Sequence, residues 1–172
     1  MKEIKTVLMS IRAEHNQNIE KGLKIAELRL KPPKCELPFK VLTYESGANG
    51  RHKVVNEWIC DNITEWRICM GIPAHLPKTA CVSVEDILSY SGKECKNIFE
   101  MRITNLKIYD KPKYLNEFAP FCNYNGDLCE GCSHYVEAFG GCCKTLKRPP
   151  QSWQYIQGGR KMNKEQERRM HI

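Results

Sequence analysis

The stretch that most constrains this chain is residues 20–31, where a predicted helix gives way to a strand with charges on its apolar face. Alternate side chains of an extended strand share a face. One face carries Leu23, Ile25, Glu27 and Arg29, and the other carries Lys24, Ala26, Leu28 and Leu30. The second face is apolar beyond its first residue, which is typical of a core. Because the first face changes from apolar to charged, we expect the strand to leave the core and enter a cleft. The alternative is a solvated surface pair that contributes little.

Size and composition indicate one globular domain. The chain has 172 residues, of which 27% are charged and 41% hydrophobic, and this is enough for a core. The first residues lack the apolar segment of a secretory signal, and no run approaches the ~20 apolar residues that span a bilayer. We therefore expect a cytoplasmic protein with no membrane partner.

The charge of the chain permits a polyanionic partner without requiring one. The net charge is +7, and the last fifteen residues carry five basic and two acidic side chains, a net +3. This leaves +4 for residues 1–157, which is a modest excess. Electrostatics alone does not decide the function.

The pattern of apolar residues predicts five or six strands and two short helices. Strands are predicted at residues 6–11, 23–30, 39–44, 53–60, 98–108 and 151–156, and residues 63–68 are predicted to extend the sheet. The longest strand changes phase at Asn105, which predicts a β-bulge, and residues 110–112 are predicted to end it. A loop of several residues joins the third and fourth strands.

The two helices have recognisable ends. The first is predicted over residues 12–21, with Gly22 just beyond its last turn. The second opens with a capping box formed by Ser83 and Asp86 and closes at Gly92. Residues 71–79 contain two prolines and are predicted to be an irregular connection.

Two segments together resemble a known family. The strand over residues 22–29 reads Gly-x-Lys-x-x-Glu-x-Arg, and the chain later closes with Arg-Pro-Pro-Gln-Ser-Trp at residues 148–153. This combination resembles the ASCH domain family, a branch of the PUA-like superfamily of small β-barrels associated with RNA. The resemblance covers residues 5–118 and 146–157. It implies an α+β fold: a PUA-like β-barrel over residues 1–157, interrupted by a cysteine-rich insertion at 119–145 and followed by a basic tail at 158–172 that we expect to be flexible.

The resemblance also implies a binding site at the barrel mouth. The residues that we predict to bind RNA or a nucleotide are Lys24, Glu27, Arg29, Lys31, Arg148 and Trp153. Further cations that are predicted to follow a phosphate backbone are Lys34, Arg51 and Lys147. Arg29 has the geometry to bind a phosphate or a purine edge with two donors, and Trp153 has a ring on which a base can stack. The alternative for Trp153, as for Trp58 and Trp66, is a place in the core.

Catalysis is the second possibility that the resemblance raises. Some ASCH proteins are small amidohydrolases that remove an acyl group from a modified cytidine with a lysine, a threonine and a glutamate. Lys24 matches the lysine, but the residue at the threonine position is Glu27. The candidates for the catalytic glutamate are Glu85 and Glu100. Without the hydroxyl that mechanism lacks its nucleophile. The leading hypothesis is therefore a regulatory protein that binds RNA or a nucleotide. The alternatives are a hydrolase of modified nucleosides and a protein-interaction adaptor that uses the insertion or the tail.

The insertion is predicted to bind a structural zinc ion. Half of the ten cysteines lie within 22 residues, namely Cys122, Cys129, Cys132, Cys142 and Cys143, and His134 lies among them. A Cys-x2-Cys turn with a distal cysteine pair supplies the thiolates that zinc prefers. Adjacent cysteines do not easily bind one ion together, so the fourth ligand is left open among Cys142, Cys143 and His134. The alternatives are reduced cysteines, disulfides or an iron–sulfur cluster.

Overall fold

The computed structural model describes residues 4–120, 135–136, 141–142 and 145–156. The strands are β1 (Thr6–Arg12), β2 (Ala26–Arg29), β3 (Phe39–Ser46), β4 (Val54–Trp66), β5 (Ile98–Lys113), β6 (Tyr135–Val136), β7 (Gly141–Cys142) and β8 (Trp153–Ile156). The helices are α1 (Ala13–Glu20), α2 (Leu76–Ala80) and α3 (Val84–Ser91), with short 3₁₀ turns at Ile68–Met70 and Leu115–Glu117.

Six strands form one sheet in the order β2-β5-β4-β3-β1-β8, and β6 pairs with β7 separately. All neighbours in the large sheet are antiparallel except β1 and β3, which are parallel. The sheet is curled so far that its two edge strands approach each other. The Trp153 indole N–H at the start of β8 donates to the Lys31 carbonyl just after β2, at 2.7 Å. The predicted α+β fold with a barrel-like sheet of five or six strands is confirmed: the sheet is a six-stranded, curled half-barrel.

The concave face of the sheet holds the main core. Its members come from four adjacent strands, β1, β3, β4 and β5, and from helix α1. They are Val7, Met9, Ile11, Ile19, Phe39, Val41, Trp58, Cys60 and Met101. Trp58 is fully buried, as predicted, and its indole N–H donates to the Thr43 hydroxyl at 3.1 Å. The hydrogen bond offsets the desolvation of the indole N–H.

The convex face carries two smaller cores. One lies beneath α2 and α3 and consists of Ile68, Leu76, Ile87 and Ile98, with Trp66 packed against it. The other is formed by Leu8, Leu42, Tyr44, Val54, Phe118, Leu146 and Ile156. The sheet is therefore covered on both faces over much of its area.

The long hairpin of β4 and β5 bends at the predicted bulge. Asn105 has a positive φ of 50°, and the pairing register shifts between Glu57 and Ile59 on the opposite strand. The prediction that residues 110–112 end the strand is wrong, because β5 continues to Lys113. Pro112 is tolerated there because β2 pairs with residues 99–102 of β5, far from the proline, and a proline is compatible with a strand edge.

The helices differ from the sequence prediction in number. A third helix, α2, occupies the segment predicted to be irregular, and Pro77 lies in its first turn, where a missing N–H costs no hydrogen bond. The capping box between Ser83 and Asp86 and the end of α3 at Gly92 are confirmed. None of the helices in the described part of the chain is long and apolar enough to cross a bilayer.

The predicted strand over residues 23–30 is shorter and starts differently. Gly22 adopts a left-handed φ of 71°, and the N–H groups of Leu23 and Lys24 both donate to the Asn18 carbonyl, so the chain turns back on α1 before β2 begins. As a result Leu23 and Ile25 are exposed, whereas Lys24 is buried. The prediction that Leu23 and Ile25 begin an apolar face in the core is therefore wrong.

Candidate functional site

Lys24, Glu27 and Arg29 form a compact charged cluster. The Lys24 ammonium lies 3.2 Å from Glu27 Oε2, and Arg29 Nη2 lies 2.9 Å from Glu27 Oε1. The three side chains are only 3%, 9% and 11% exposed. One buried carboxylate thus neutralises two buried cations in part, and the cluster carries a formal charge of +1.

Each cation of the charged cluster also binds a backbone carbonyl from a different element. The Lys24 ammonium donates to the Ala80 carbonyl at the end of α2, at 2.8 Å. Arg29 Nη2 donates to the Ser10 carbonyl of β1, also at 2.8 Å. The cluster therefore links β2 to α2 on one side and to β1 on the other.

The same arginine closes the gap between the edges of the sheet. Arg29 Nη1 donates to the Ser152 hydroxyl at 3.1 Å, and the Ser10 hydroxyl donates to the Pro150 carbonyl at 2.6 Å. Together with the bond from Trp153 to Lys31, these contacts define a seam, by which we mean the line where β2 and the following loop meet β8 and the segment before it. Arg29 Nε is buried and has no hydrogen-bond partner among the described residues.

Electrostatics favours the ionised form of Glu27. Burial by itself raises the pKa of this carboxyl, but the charges of Lys24 and Arg29 outweigh burial and hold the pKa below its ordinary value. His15 on α1 adds a smaller effect in the same direction.

The predicted binding residues outside the cluster lie on or next to the seam. Lys31 and Lys34 are exposed in the loop that follows β2. Arg148 is exposed two residues before Pro150. Trp153 is half-buried: its ring packs against the main core, and its N–H binds the Lys31 carbonyl. The alternative of a place in the core is therefore met in part, and the role of Trp153 in binding stays a prediction.

Aromatic and basic side chains continue along β8. The rings of Trp153 and Tyr155 meet edge to face with their centroids 5.3 Å apart. The exposed Lys5 ammonium lies 5.9 Å from the centroid of Tyr155, close enough for a cation–π contact. Sequence reasoning missed Lys5 and Tyr155; the alternation of Trp153 and Tyr155 in the last strand was the signal that they share a face.

Arg51 lies in a separate polar network, not on the seam. It donates through its backbone N–H and Nε to Glu45 Oε1 and through Nη2 to Glu45 Oε2, and it also binds Glu20 on α1. Asn16 donates to the same Glu45 at 2.6 Å and accepts from Asn56 at 2.8 Å. The hairpin loop of β3 and β4 is thereby attached to α1, which accounts for Arg51.

The two glutamates suggested for the third catalytic position lie on other elements than Lys24, Glu100 on β5 and Glu85 on α3. Glu100 pairs in register with Leu28, so it lies on the opposite face of the sheet from Glu27, where it accepts from Trp66 and Thr79. Glu85 is exposed on α3. Thr43, an alternative hydroxyl, accepts the bond from Trp58 in the core. Neither glutamate suggested for the third catalytic position is among the hydrogen-bond or ion-pair partners of Lys24 in this part of the chain.

The predicted zinc ligands lie outside the described residues, except that the backbone of Cys142 pairs with Tyr135 in the small β6–β7 sheet. Elsewhere, within the described ranges, no group of three or more histidine, cysteine or acidic side chains is placed to hold a metal ion. The zinc site therefore stays a prediction from the cysteine spacing.

Comparison with solved structures identifies the fold. The chain superposes on the crystal structure of ASCH from Zymomonas mobilis with a TM-score of 0.61 at 15% identity, covering 97% of this chain and 94% of that one. A serine-to-alanine point mutant of the same Zymomonas mobilis protein gives a TM-score of 0.61 at 14% identity, over 99% and 97% of the two chains. No protein-family model matches the sequence. No curated protein matches it either. The structural neighbours are thus ASCH domain proteins, and the fold that the two sequence segments implied is confirmed.

Proposed function

We propose that this chain binds RNA or a nucleotide along the seam, without turnover, as a regulatory protein would. The observation that carries the proposal is the presence of exposed cations beside two half-buried aromatic rings. Lys31 and Lys34 follow β2, Arg148 precedes β8, and Trp153 and Tyr155 lie between them. Cations beside aromatic side chains on which bases stack are the usual means of holding a single strand without reading its sequence. The ASCH fold supports the same proposal.

The residues divide into those that contact the ligand and those that hold the site. Lys31, Lys34 and Arg148 bind phosphates, and the half-buried ring of Trp153 contacts a base. Lys24 forms an ion pair with Glu27 and donates to a carbonyl at the end of α2, so the main contribution of these two residues is to position β2. Arg29 binds Glu27, Ser10 and Ser152, so its main contribution is to hold β2 against β1 and the segment before β8.

Removal of two seam lysines is expected to weaken binding of single-stranded RNA. Each phosphate contact on a single strand contributes about 0.7 to the slope of log K against log salt. The double variant Lys31→Ala/Lys34→Ala should therefore lower the slope by about 1.4 and the affinity roughly tenfold at physiological salt. Fluorescence anisotropy with a labelled single-stranded RNA, titrated at several salt concentrations, measures both quantities.

The matched control for this experiment is the double variant Lys107→Ala/Lys111→Ala. Both lysines are exposed on the half of β5 beyond β2, and their removal changes the net charge equally. Its slope and affinity should stay close to those of the unmodified protein. Equal losses in the two variants would show a diffuse charge effect and overturn the seam as the binding site. No binding to any structured or single-stranded RNA would favour a protein partner held by the insertion or the tail.

We also propose that the insertion at residues 119–145 binds one structural zinc ion through Cys122, Cys129, Cys132 and one of Cys142, Cys143 or His134. Four protein ligands leave no open position for water, so this zinc shapes a loop and takes no part in catalysis. Elemental analysis of metal-replete protein should give one zinc per chain. Cys129→Ser should lower that content while the circular dichroism of the sheet persists, because the strands of the large sheet lie outside the insertion. Protein that contains no metal at all would refute the site.

A further inference from the structure

A cavity of about 700 Å³ lies at the opposite end of β1 from the charged cluster. It is lined by Ile4, Lys5 and residues 34–38. Ser10, which binds Arg29, lies near the carboxyl end of β1, whereas Lys5 precedes its first residue, Thr6. Five residues of extended strand separate the two places by about 17 Å. The cavity is therefore a place of its own, outside the charged cluster.

The lining of the cavity combines cations with exposed apolar side chains. Lys5 and Lys34 are exposed, and Glu36 is the carboxylate among the lining residues. Ile4 and Leu37 are 46% and 43% exposed. Large apolar side chains exposed together on one concave surface are typical of a binding site. Cavities of this volume with an apolar wall and a few polar groups are typical of small-ligand sites.

The cavity is continuous with the aromatic side of the seam. Cys35 lines it, and the Tyr155 side chain interacts with the Cys35 thiol and with the backbone of Lys34. The Lys5 ammonium lies over the ring of Tyr155, which in turn contacts Trp153. An RNA strand that lies along the seam past Trp153 and Tyr155 therefore ends beside the cavity.

We propose that this cavity is a nucleotide subsite that holds one unit of the bound RNA, with the base against Ile4 and Leu37 and the phosphate on Lys5 and Lys34. The proposal rests on the function proposed above and specifies its ligand chemistry. It requires a ligand that carries both a flat apolar group and a phosphate. A nucleoside without a phosphate makes only the contacts with the apolar side chains, and inorganic phosphate makes only the contacts with the lysines.

The Cys35 thiol provides a direct probe of occupancy. Burial raises the pKa of Cys35, so its alkylation by iodoacetamide is followed at about pH 8.5, peptide by peptide, by mass spectrometry. Cys69, exposed after β4, is the internal control. With AMP or UMP at about four times the dissociation constant, alkylation of Cys35 should slow roughly fivefold, the factor by which binding depletes the free site, while Cys69 is unaffected. Uridine and inorganic phosphate should protect much less.

Variants assign the protection to the cavity. Lys5→Ala and Lys34→Ala should each abolish most of the protection by nucleotides, whereas Lys107→Ala, on β5, should leave it intact. Equal protection by uridine and UMP, or none by any nucleotide, would overturn the subsite. If labelled RNA binds while Cys35 stays fully reactive, the subsite is wrong and the proposed function stands. If mononucleotides protect Cys35 but RNA does not bind, the RNA part of the proposed function is wrong and the subsite stands.

Discussion

The Glu27→Gln variant is expected to lose about 3–5 kcal/mol of unfolding free energy at neutral pH, because the change leaves two buried cations without their counter-charge. Glu27 is the shared partner of Lys24 and Arg29, at 3.2 and 2.9 Å. Glutamine preserves the size of the side chain, so the loss reports the charge and not a cavity. Urea denaturation followed by circular dichroism measures this loss of stability. The shift of the midpoint gives the loss if the dependence of the unfolding free energy on urea concentration is the same in both proteins.

The matched control is Glu14→Gln on α1. Glu14 also faces an arginine, Arg12, but the pair is 4.0 Å apart and the side chains are 62% and 73% exposed. Exposed pairs of this kind contribute about 0–1 kcal/mol. Similar losses for Glu27→Gln and Glu14→Gln would contradict the conclusion that the cluster is buried and mutually neutralised.

The pH dependence gives a second check on Glu27. Its pKa lies below the ordinary value of 4.5 in the folded protein, because Lys24 and Arg29 outweigh the effect of burial. A carboxyl whose pKa is lowered by folding stabilises the protein above its unfolded pKa, and that contribution is lost as the pH falls through the folded pKa. The stability difference between the wild type and Glu27→Gln should therefore narrow as the pH is lowered below about 4.5.

Local patterns in the sequence predicted much of the fold. The capping box at Ser83, the glycine after α1 and the phase change at Asn105 each act within a few residues, and all three are confirmed. The sequence did not reveal α2, because its stability depends on packing Leu76 into the core beneath the helices and not on an apolar repeat. The added length of β5 was hidden by Pro112, a residue that breaks an inner strand but not an edge.

The sequence predicted the charged residues of the cluster but not the residues that they bind. The charges of residues 24–29 were visible in the sequence, but their partners are distant: Arg29 binds Ser152, 123 residues along the chain, and Lys24 binds Ala80, 56 residues along. A buried lysine is rare without a partner, so alternation alone could not place Lys24 inside. Its burial follows from the turn after Gly22 and from a carbonyl at the end of a helix that the sequence did not reveal.

Arg51 is a second cation whose partners the sequence did not reveal. Its position in a polar loop indicated a surface residue free to bind phosphate, but Glu45 and Glu20 both bind it. Glu45 is 4% exposed, and its neighbours Asn16 and Asn56 are also buried. The network lies at one end of the barrel interior, where α1 and the hairpin loop meet.

Replacing Arg51 with methionine is expected to cost about 2–3 kcal/mol at neutral pH, between the range for exposed pairs and that for buried ones, because Arg51 is 38% exposed while Glu45 is buried. Methionine keeps the apolar stem of the side chain and removes its charge and donors. Arg12→Met is the matched control, since Arg12 pairs with an exposed glutamate at 4.0 Å, and it should cost less than about 1 kcal/mol.

The sign of the pH dependence separates a charge effect from a packing effect in the Arg51→Met variant. In the wild type, burial raises the pKa of Glu45, but the hydrogen bonds from Arg51 and Asn16 outweigh it and hold the pKa low. Without the Arg51 side chain, part of this lowering is lost, so the folded pKa of Glu45 is higher in the variant than in the wild type. The variant therefore loses less stability than the wild type when Glu45 is protonated, and the deficit of Arg51→Met should shrink as the pH falls through about 4.5. A deficit that stays constant over this range in urea denaturation would mean that Arg51 stabilises the loop by packing, and that Glu45 is not held ionised by its charge.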